Sequence, residues 1–212
     1  MSTDKLPVFP LNAALLPACR MPLQIFEKRY LDMVSRCMRS DTGFVVALLR
    51  PGAERHEVIT PELEPAQHNV PFYPMGTEAR IVDFGQRDNG LLAITIEGLQ
   101  RVELNGIHQR ADGLWLAEIT PRPEQVDTTP ATLEEWTDVL EQLLGFSGLE
   151  ELRASVDLQS SEQVMNYLIM LMPLPASVKQ ELLETDQHLA RWNKLNQLLT
   201  MLAAPRRADP PQ

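Results

Sequence analysis

The hydrophobic period of the chain changes from two residues to between three and four after Pro121-Arg-Pro123. One stretch therefore has to build sheet and the other helices, because side chains alternate along a strand but return to the same face of a helix every three to four residues. Ahead of the switch, residues 6–9, 13–16, 44–49, 79–84, 91–96, 101–107 and 114–120 are short apolar or alternating runs separated by Pro, Gly, Asn and Asp. Each reads as a strand. Leu92, Ile94 and Ile96 share one face of theirs. Asp88-Asn-Gly90 predicts a hairpin between the strand ending near Phe84 and the strand starting at Leu91, since Asn and Gly tolerate positive φ. Strands this close together suggest a compact barrel or sandwich. One helix interrupts them over residues 27–39, where Tyr30, Leu31, Val34, Cys37 and Met38 recur at helical steps opposite Lys28, Asp32, Arg36 and Arg39.

Beyond the switch, Thr132-Leu-Glu-Glu135 is a capping box, followed by a stripe of Leu133, Trp136, Leu140, Leu143 and Leu144 that ends at Gly145. Ser160 or Ser161 caps a second helix, which carries Val164, Tyr167, Leu168 and Leu171 and is stopped by Pro173 and Pro175. A short helix near residues 177–183 follows. A last one starts at Thr185 or Asp186 and carries Leu189, Trp192, Leu195, Leu199 and Leu202. The expected division is a β-rich unit at 1–123, a helical bundle at 124–204 and a disordered polar tail at 205–212. With 212 residues, the chain is long enough to form a core without a metal or disulfide.

Charge is divided as unevenly as periodicity. Of the net −10, residues 124–212 contribute −8. Broad affinity for nucleic acid is therefore not expected, because phosphate binding depends on an excess of Lys and Arg. The basic group Arg20, Lys28, Arg29, Arg36 and Arg39 has Glu27, Asp32 and Asp41 among it and reads as a salt-laced helix face. Two cysteines, Cys19 and Cys37, and no basic-then-apolar leader predict a reduced cytoplasmic setting. No apolar run approaches the roughly 20 residues needed to cross a bilayer, so no membrane partner is expected.

Motifs for catalysis are mostly missing. No Gly-Lys pair exists for a phosphate-binding loop. Gly145-Phe-Ser-Gly148 has its second glycine one place too early for a nucleophile elbow, and Ser147 reads as a helix cap with Glu150 as its partner. His56-Glu57 meets Thr60 where a zinc motif needs its second histidine. The scattered His56, His68, His108 and His188 show no ligand spacing. No catalytic residue, metal or cofactor is expected. Between residues 51 and 76, five prolines and four glutamates define a long loop. Within it Phe72-Tyr-Pro-Met75 is an apolar patch: if exposed, Phe72, Tyr73 and Met75 anchor a peptide, and if folded under the barrel they plug it.

The order of residues also carries a resemblance. Leu6-Pro-Val-Phe-Pro-Leu11, Leu16-Pro17, Met21-Pro-Leu-Gln-Ile-Phe-Glu27 and Arg29-Tyr30 resemble the opening of the Lon protease N-terminal (substrate-binding) domain family. Gly76-Thr-Glu-Ala-Arg-Ile81, Asp88-Asn-Gly90 and Ile96-Glu-Gly-Leu-Gln-Arg101 are similar to its second block, and Leu174-Pro175 with Lys179-Gln-Glu-Leu-Leu183 to the start of its last helical segment. The resemblance implies an α+β fold, with a PUA-like pseudo-barrel of about six or seven short strands and one embedded helix followed by a C-terminal helical bundle. It also implies recognition of polypeptides. The family's full protease continues into ATPase and Ser-Lys peptidase modules whose residues do not occur here, so the expectation is a stand-alone, non-enzymatic adaptor or quality-control factor. Its expected partners are unfolded or degradation-bound proteins or peptides, with a protease or chaperone beyond them. The stripe through residues 189–202 leaves room for a homo-oligomer. Two other readings stay open: an RNA-binding PUA-like module working through Arg36 and Arg39, and a small-molecule sensor or enzyme with a pocket between barrel and bundle.

Overall fold

The computed structural model describes residues 5–53, 70–87, 89–125 and 133–203. The expected tail, Thr132 of the capping box, His56-Glu57 with Thr60, His68 and most of the proline-rich loop lie outside these residues. Six strands form one sheet: β1 (Lys5–Leu11), β2 (Arg20–Ile25), β3 (Phe44–Leu49), β4 (Phe72–Gln86), β5 (Leu92–Gln109) and β6 (Trp115–Pro121). Helix α1 (Lys28–Ser40) lies between β2 and β3. After the sheet come α2 (Leu133–Leu144), α3 (Glu150–Arg153), α4 (Ser161–Leu171), α5 (Ala176–Glu184) and α6 (His188–Ala203).

The sheet runs β2-β5-β4-β3-β1-β6, and a further β5–β6 pairing closes five of its strands into a ring. All neighbours are antiparallel except β1 and β3, which pair in parallel with Val8 opposite Val45. Closure is possible because β5 is long: its first part holds β2 and its second part holds β6. Two strands were expected over 91–96 and 101–107. They are one, bent at Gly98, where an added Cβ would stand 2.3 Å from the Leu16 carbonyl oxygen. The bend admits the chain at residues 14–19, whose Ala18 and Cys19 exchange backbone hydrogen bonds with Gly98.

That segment corrects a second expectation. Residues 13–16 form no strand, and they are apolar because Ala14, Leu15 and Leu16 are buried. The Thr77 hydroxyl donates to the Leu15 carbonyl at 2.6 Å, and Asn166 of α4 donates to the Pro17 carbonyl at 3.0 Å. Conversely β2 is a strand despite Pro22, because it lies at the edge of the sheet, where a missing N–H is tolerated.

Two apolar clusters follow from this topology. The smaller takes Val8, Val45, Ala47, Phe72, Val102, Leu104 and Ala117 from the five ring strands and fills the ring. The larger joins the sheet to the helices through Phe9, Phe44, Val46, Ile94 and Ile96, with α1 supplying Tyr30, Met33, Val34 and Cys37. Strand β3 serves both, Phe44, Val46 and Leu48 facing one cluster and Val45 and Ala47 the other, which is why its sequence is apolar without alternation. In the helical part, Ser160 caps α4 by accepting the Gln163 N–H, and Trp136 of α2 donates to Asn196 of α6 at 2.6 Å. Trp192, Leu195 and Leu199 are buried within the larger cluster, while the ends of the α6 stripe reach the surface, Leu189 half-buried and Leu202 exposed. Helix α6 starts at His188, and Asp186 has another task described below. Ser147 is not a cap: Leu149 occupies that position in α3, and Glu150 accepts the Gly148 N–H at 2.9 Å.

Candidate functional site

Past Ala79, β4 loses its β3 partner and continues with β5 and β2 as a three-stranded arm. Paired residues of antiparallel strands point to the same side, so register identifies the two faces. On one, Arg20, Glu97 and Arg80 stand in a row, with Glu97 accepting from Arg20 Nε at 3.0 Å and Arg80 Nη2 at 2.7 Å. Burial pushes the Glu97 carboxyl up, but the bonds and charges of both arginines outweigh it and hold it below the usual glutamate value.

The other face is apolar. Met21 and Ile96, then Leu23 and Ile94, then Ile25 and Leu92 pair across β2 and β5, and Met21, Ile25, Ile94 and Ile96 are buried in the larger core. On β4, Ile94 is paired with Phe84, whose side chain is 62% exposed. Phe26, one residue past the end of β2, is 69% exposed. Each is a large exposed aromatic near the end of one small sheet, a contact suited to apolar groups.

The patch expected at Phe72, Tyr73 and Met75 is not a surface. Phe72 is fully buried inside the ring with its ring edge-on to Trp115, the centroids 5.5 Å apart. Met75 is buried as well, and its carbonyl accepts from Gln180 Nε2 at 3.1 Å. Tyr73 is half-buried beneath the Arg50 guanidinium, 5.1 Å above its ring. Of the two outcomes open in the sequence, the plug describes Phe72 alone: Tyr73 packs against the larger cluster instead, and Met75 belongs to neither cluster.

Sequence reasoning gave no sign of a second constellation, the ionic junction between ring and helices. Arg101 of β5 and Arg191 of α6 are fully buried. Arg101 donates to the carbonyls of Leu183, Thr185 and Pro123, and Arg191 to that of Thr185. Glu124 bridges the two guanidiniums, while Asp186 pairs with Arg101 at 3.2 Å and Arg122 at 2.6 Å. Burial and the charge of Arg191 lower the Arg101 pKa, opposed by Glu124 and Asp186. Burial alone would raise the Asp186 carboxyl, but its arginine partners bring it below the usual range. A guanidinium occupied by three carbonyls and two carboxylates is a tie between elements, not a free cation for a ligand.

The remaining sequence candidates are dispersed. Cys19 is buried, and burial followed by the charge of Glu162 pushes its thiol well up, the reverse of an activated nucleophile. In the basic group Arg20 is held by Glu97, Arg29 by Glu27 at 2.6 Å, and Arg39 by Ser35. A shallow depression on the helical half is lined by Asp138, Glu141, Gln142, Gly145 and Arg153. Among the described residues, no group of three or more His, Cys, Asp or Glu side chains could hold a metal ion, and no helix is long and apolar enough to cross a membrane.

Comparison with known proteins adds a likeness over the whole fold. The profile of the ATP-dependent protease La (LON) substrate-binding domain matches residues 5–201. A Lon protease of Brevibacillus choshinensis is 25% identical over 188 residues, which is 85% of this chain and 23% of that protein, so the chain spans about a quarter of this curated relative. The crystal structure of a Lon N-terminal domain protein from Xanthomonas campestris superposes with a TM-score of 0.64 at 29% identity, covering 93% of this chain and 98% of that one. The N-terminal domain of the Mycobacterium avium complex Lon protease gives 0.60 at 18% identity over 93% and 97% of the two chains, a likeness of fold alone.

Proposed function

Because the chain belongs to the ATP-dependent protease La (LON) substrate-binding domain family, we propose that it binds polypeptides through the end of the three-stranded arm, with Phe26 and Phe84 as contacts. The observation that carries this reading is the exposure of those two side chains on an arm whose other large apolar residues are buried or half-buried. Unfolded proteins display apolar side chains that a folded protein hides, and covering one phenylalanine on binding is worth about 1.5–3 kcal/mol. A chain with this surface acts without chemistry of its own, as an adaptor or quality-control factor that holds unfolded clients for a protease or chaperone. A cytoplasmic setting suits that role.

The test is binding of fluorescently labelled, reduced and carboxymethylated α-lactalbumin to the full chain, followed by anisotropy. The double substitution Phe26→Ala with Phe84→Ala should raise Kd by about tenfold or more and leave Tm within about 2 °C, because neither side chain fills the core. Unchanged affinity in the double variant would sink the reading, as would failure of the parent chain to bind.

A further inference from the structure

The arm has two outer edges, and hydrogen-bond parity shows what each offers. In an antiparallel ladder, successive residues direct their N–H and C=O alternately toward the partner strand and away from it. The Arg87 N–H donates to the Leu91 carbonyl at 3.0 Å, which sets the phase. Through the unbroken register from Gln86↔Leu92 to Asp83↔Thr95, Gly85 and Asp83 bond inward to β5, while Phe84 and Gln86 turn outward. On β5, Leu92, Ile94 and Ile96 must then face β2, which leaves Arg20, Pro22 and Gln24 as the outward residues of that strand. Two separate hydrogen bonds agree with this assignment: the Arg20 N–H reaches the Tyr167 hydroxyl at 2.8 Å, and the Phe84 N–H reaches the Asp83 side chain at 2.9 Å.

The edges are therefore unlike. On β2 the Arg20 N–H is taken by Tyr167 and Pro22 has none, so Gln24 alone offers a donor; such an edge resists further pairing. On β4, residues 80–86 contain no proline, β3 pairing has stopped at Ala79, and residues 83–86 are exposed. An added side chain at Gly85 would meet nothing within 4 Å. Among the described residues, the group found on the outward donors of Phe84 and Gln86 is the carboxylate of the adjacent, exposed Asp83.

We propose that the β4 edge at residues 83–86 takes an extended segment of a bound polypeptide as an added strand, hydrogen-bonded to the main chain of Phe84 and Gln86 and displacing the Asp83 carboxylate. The inference rests on the polypeptide-binding reading and specifies how the client is held. Donors and acceptors repeated on alternate residues match an extended main chain. The Phe84 side chain lies beside the cross-strand position, where it selects a large apolar partner residue. Asp83 and Arg87 cancel in charge, which suits an uncharged segment. A client caught in this way needs no particular sequence beyond an apolar residue and an unpaired backbone, both of which unfolding exposes.

The test uses the full chain and a labelled nine-residue peptide of alternating phenylalanine and threonine with lysine at each end, compared with two versions N-methylated on alternate residues in opposite phase. One methylated phase should bind at least tenfold more weakly, and the other within about twofold of the parent peptide. Gln86→Pro, which removes an outward N–H as Pro22 does on the opposite edge, should weaken the parent peptide at least fivefold with Tm retained. Equal binding of both methylated peptides, with Phe84→Ala still damaging, overturns strand addition and leaves side-chain recognition standing. If neither the parent peptide nor carboxymethylated α-lactalbumin binds, both proposals fall. If Gln86→Pro converts a dimer to a monomer without altering peptide affinity, the edge pairs two copies of this chain and the proposal is overturned.

Discussion

The ring and the arm share two strands, β4 and β5, and differ in almost every other respect. In the ring, β4 and β5 have neighbours on both sides, and their inward residues Phe72, Val102 and Leu104 meet side chains from three other strands. In the arm, the same strands run on past β3 and β6, one face still covered and the other charged, with an edge left unpaired at Phe84. Phe72 and Phe84 lie twelve residues apart in one strand, and one is fully buried while the other is 62% exposed. Closure, not composition, decides which part of a strand serves stability and which is left available for contact.

The sharpest way to separate the regions is to truncate an aromatic in each. Phe72→Ala should cost about 3–5 kcal/mol, as for other large-to-small changes in packed cores, and lower Tm by about 10 °C. Phe84→Ala should leave Tm nearly unchanged, so a similar loss from both would erase the distinction. Next in size is the junction that anchors the ring to the helices. Arg101→Met should cost about 3 kcal/mol, the low end for breaking a buried ionic group, because Glu124 keeps Arg191 as a partner. Urea denaturation would measure it, and a neutral result would show that the ties of Arg101 do not hold the helices to the ring.

The smallest effect is that of pH on the arm. The folded-state pKa of Glu97 is depressed, so its contribution is complete above the ordinary carboxylate value near 4 and is lost as pH falls through the lower folded value. Asp186 acts in the same direction at the junction. Glu162, raised by burial and by the charge of Glu124, acts in the opposite sense and is relieved by acid. Glu97→Gln should therefore flatten the fall of the urea midpoint below about pH 4; an unchanged slope would mean that the row Arg20, Glu97, Arg80 contributes nothing to the arm.

These contrasts also show what could be read from the residues. The uninterrupted apolar run of β3, the hairpin at Asn89-Gly90 and the amphipathic α1 were legible because each is a local pattern with a local cause. Strand β2 was hidden by Pro22, which argues against a strand until the edge position is known. Residues 13–16 mimicked a strand because burial under the sheet demands the same apolar side chains. The burial of Phe72 was illegible for a related reason: an aromatic near a loop looks the same in sequence whether a ring closes over it or not. Arg101 and Arg191 gave no warning, since nothing in their neighbouring residues distinguishes a buried arginine from a solvated one.

Strand β5 has a mechanical consequence. It is a single stretch of 18 residues that pairs with Phe84 near its start and carries Arg101 beyond the bend at Gly98. A tug on chain held at the arm, directed along the strands, loads the β4–β5 ladder in shear, so many hydrogen bonds share the force instead of opening one after another. The tension then passes along a nearly inextensible backbone to the guanidinium of Arg101 and from there into the turn between α5 and α6. One strand and one buried side chain thus join the exposed end of the arm to the helical half, so a load on the first is felt by the second without unzipping the sheet.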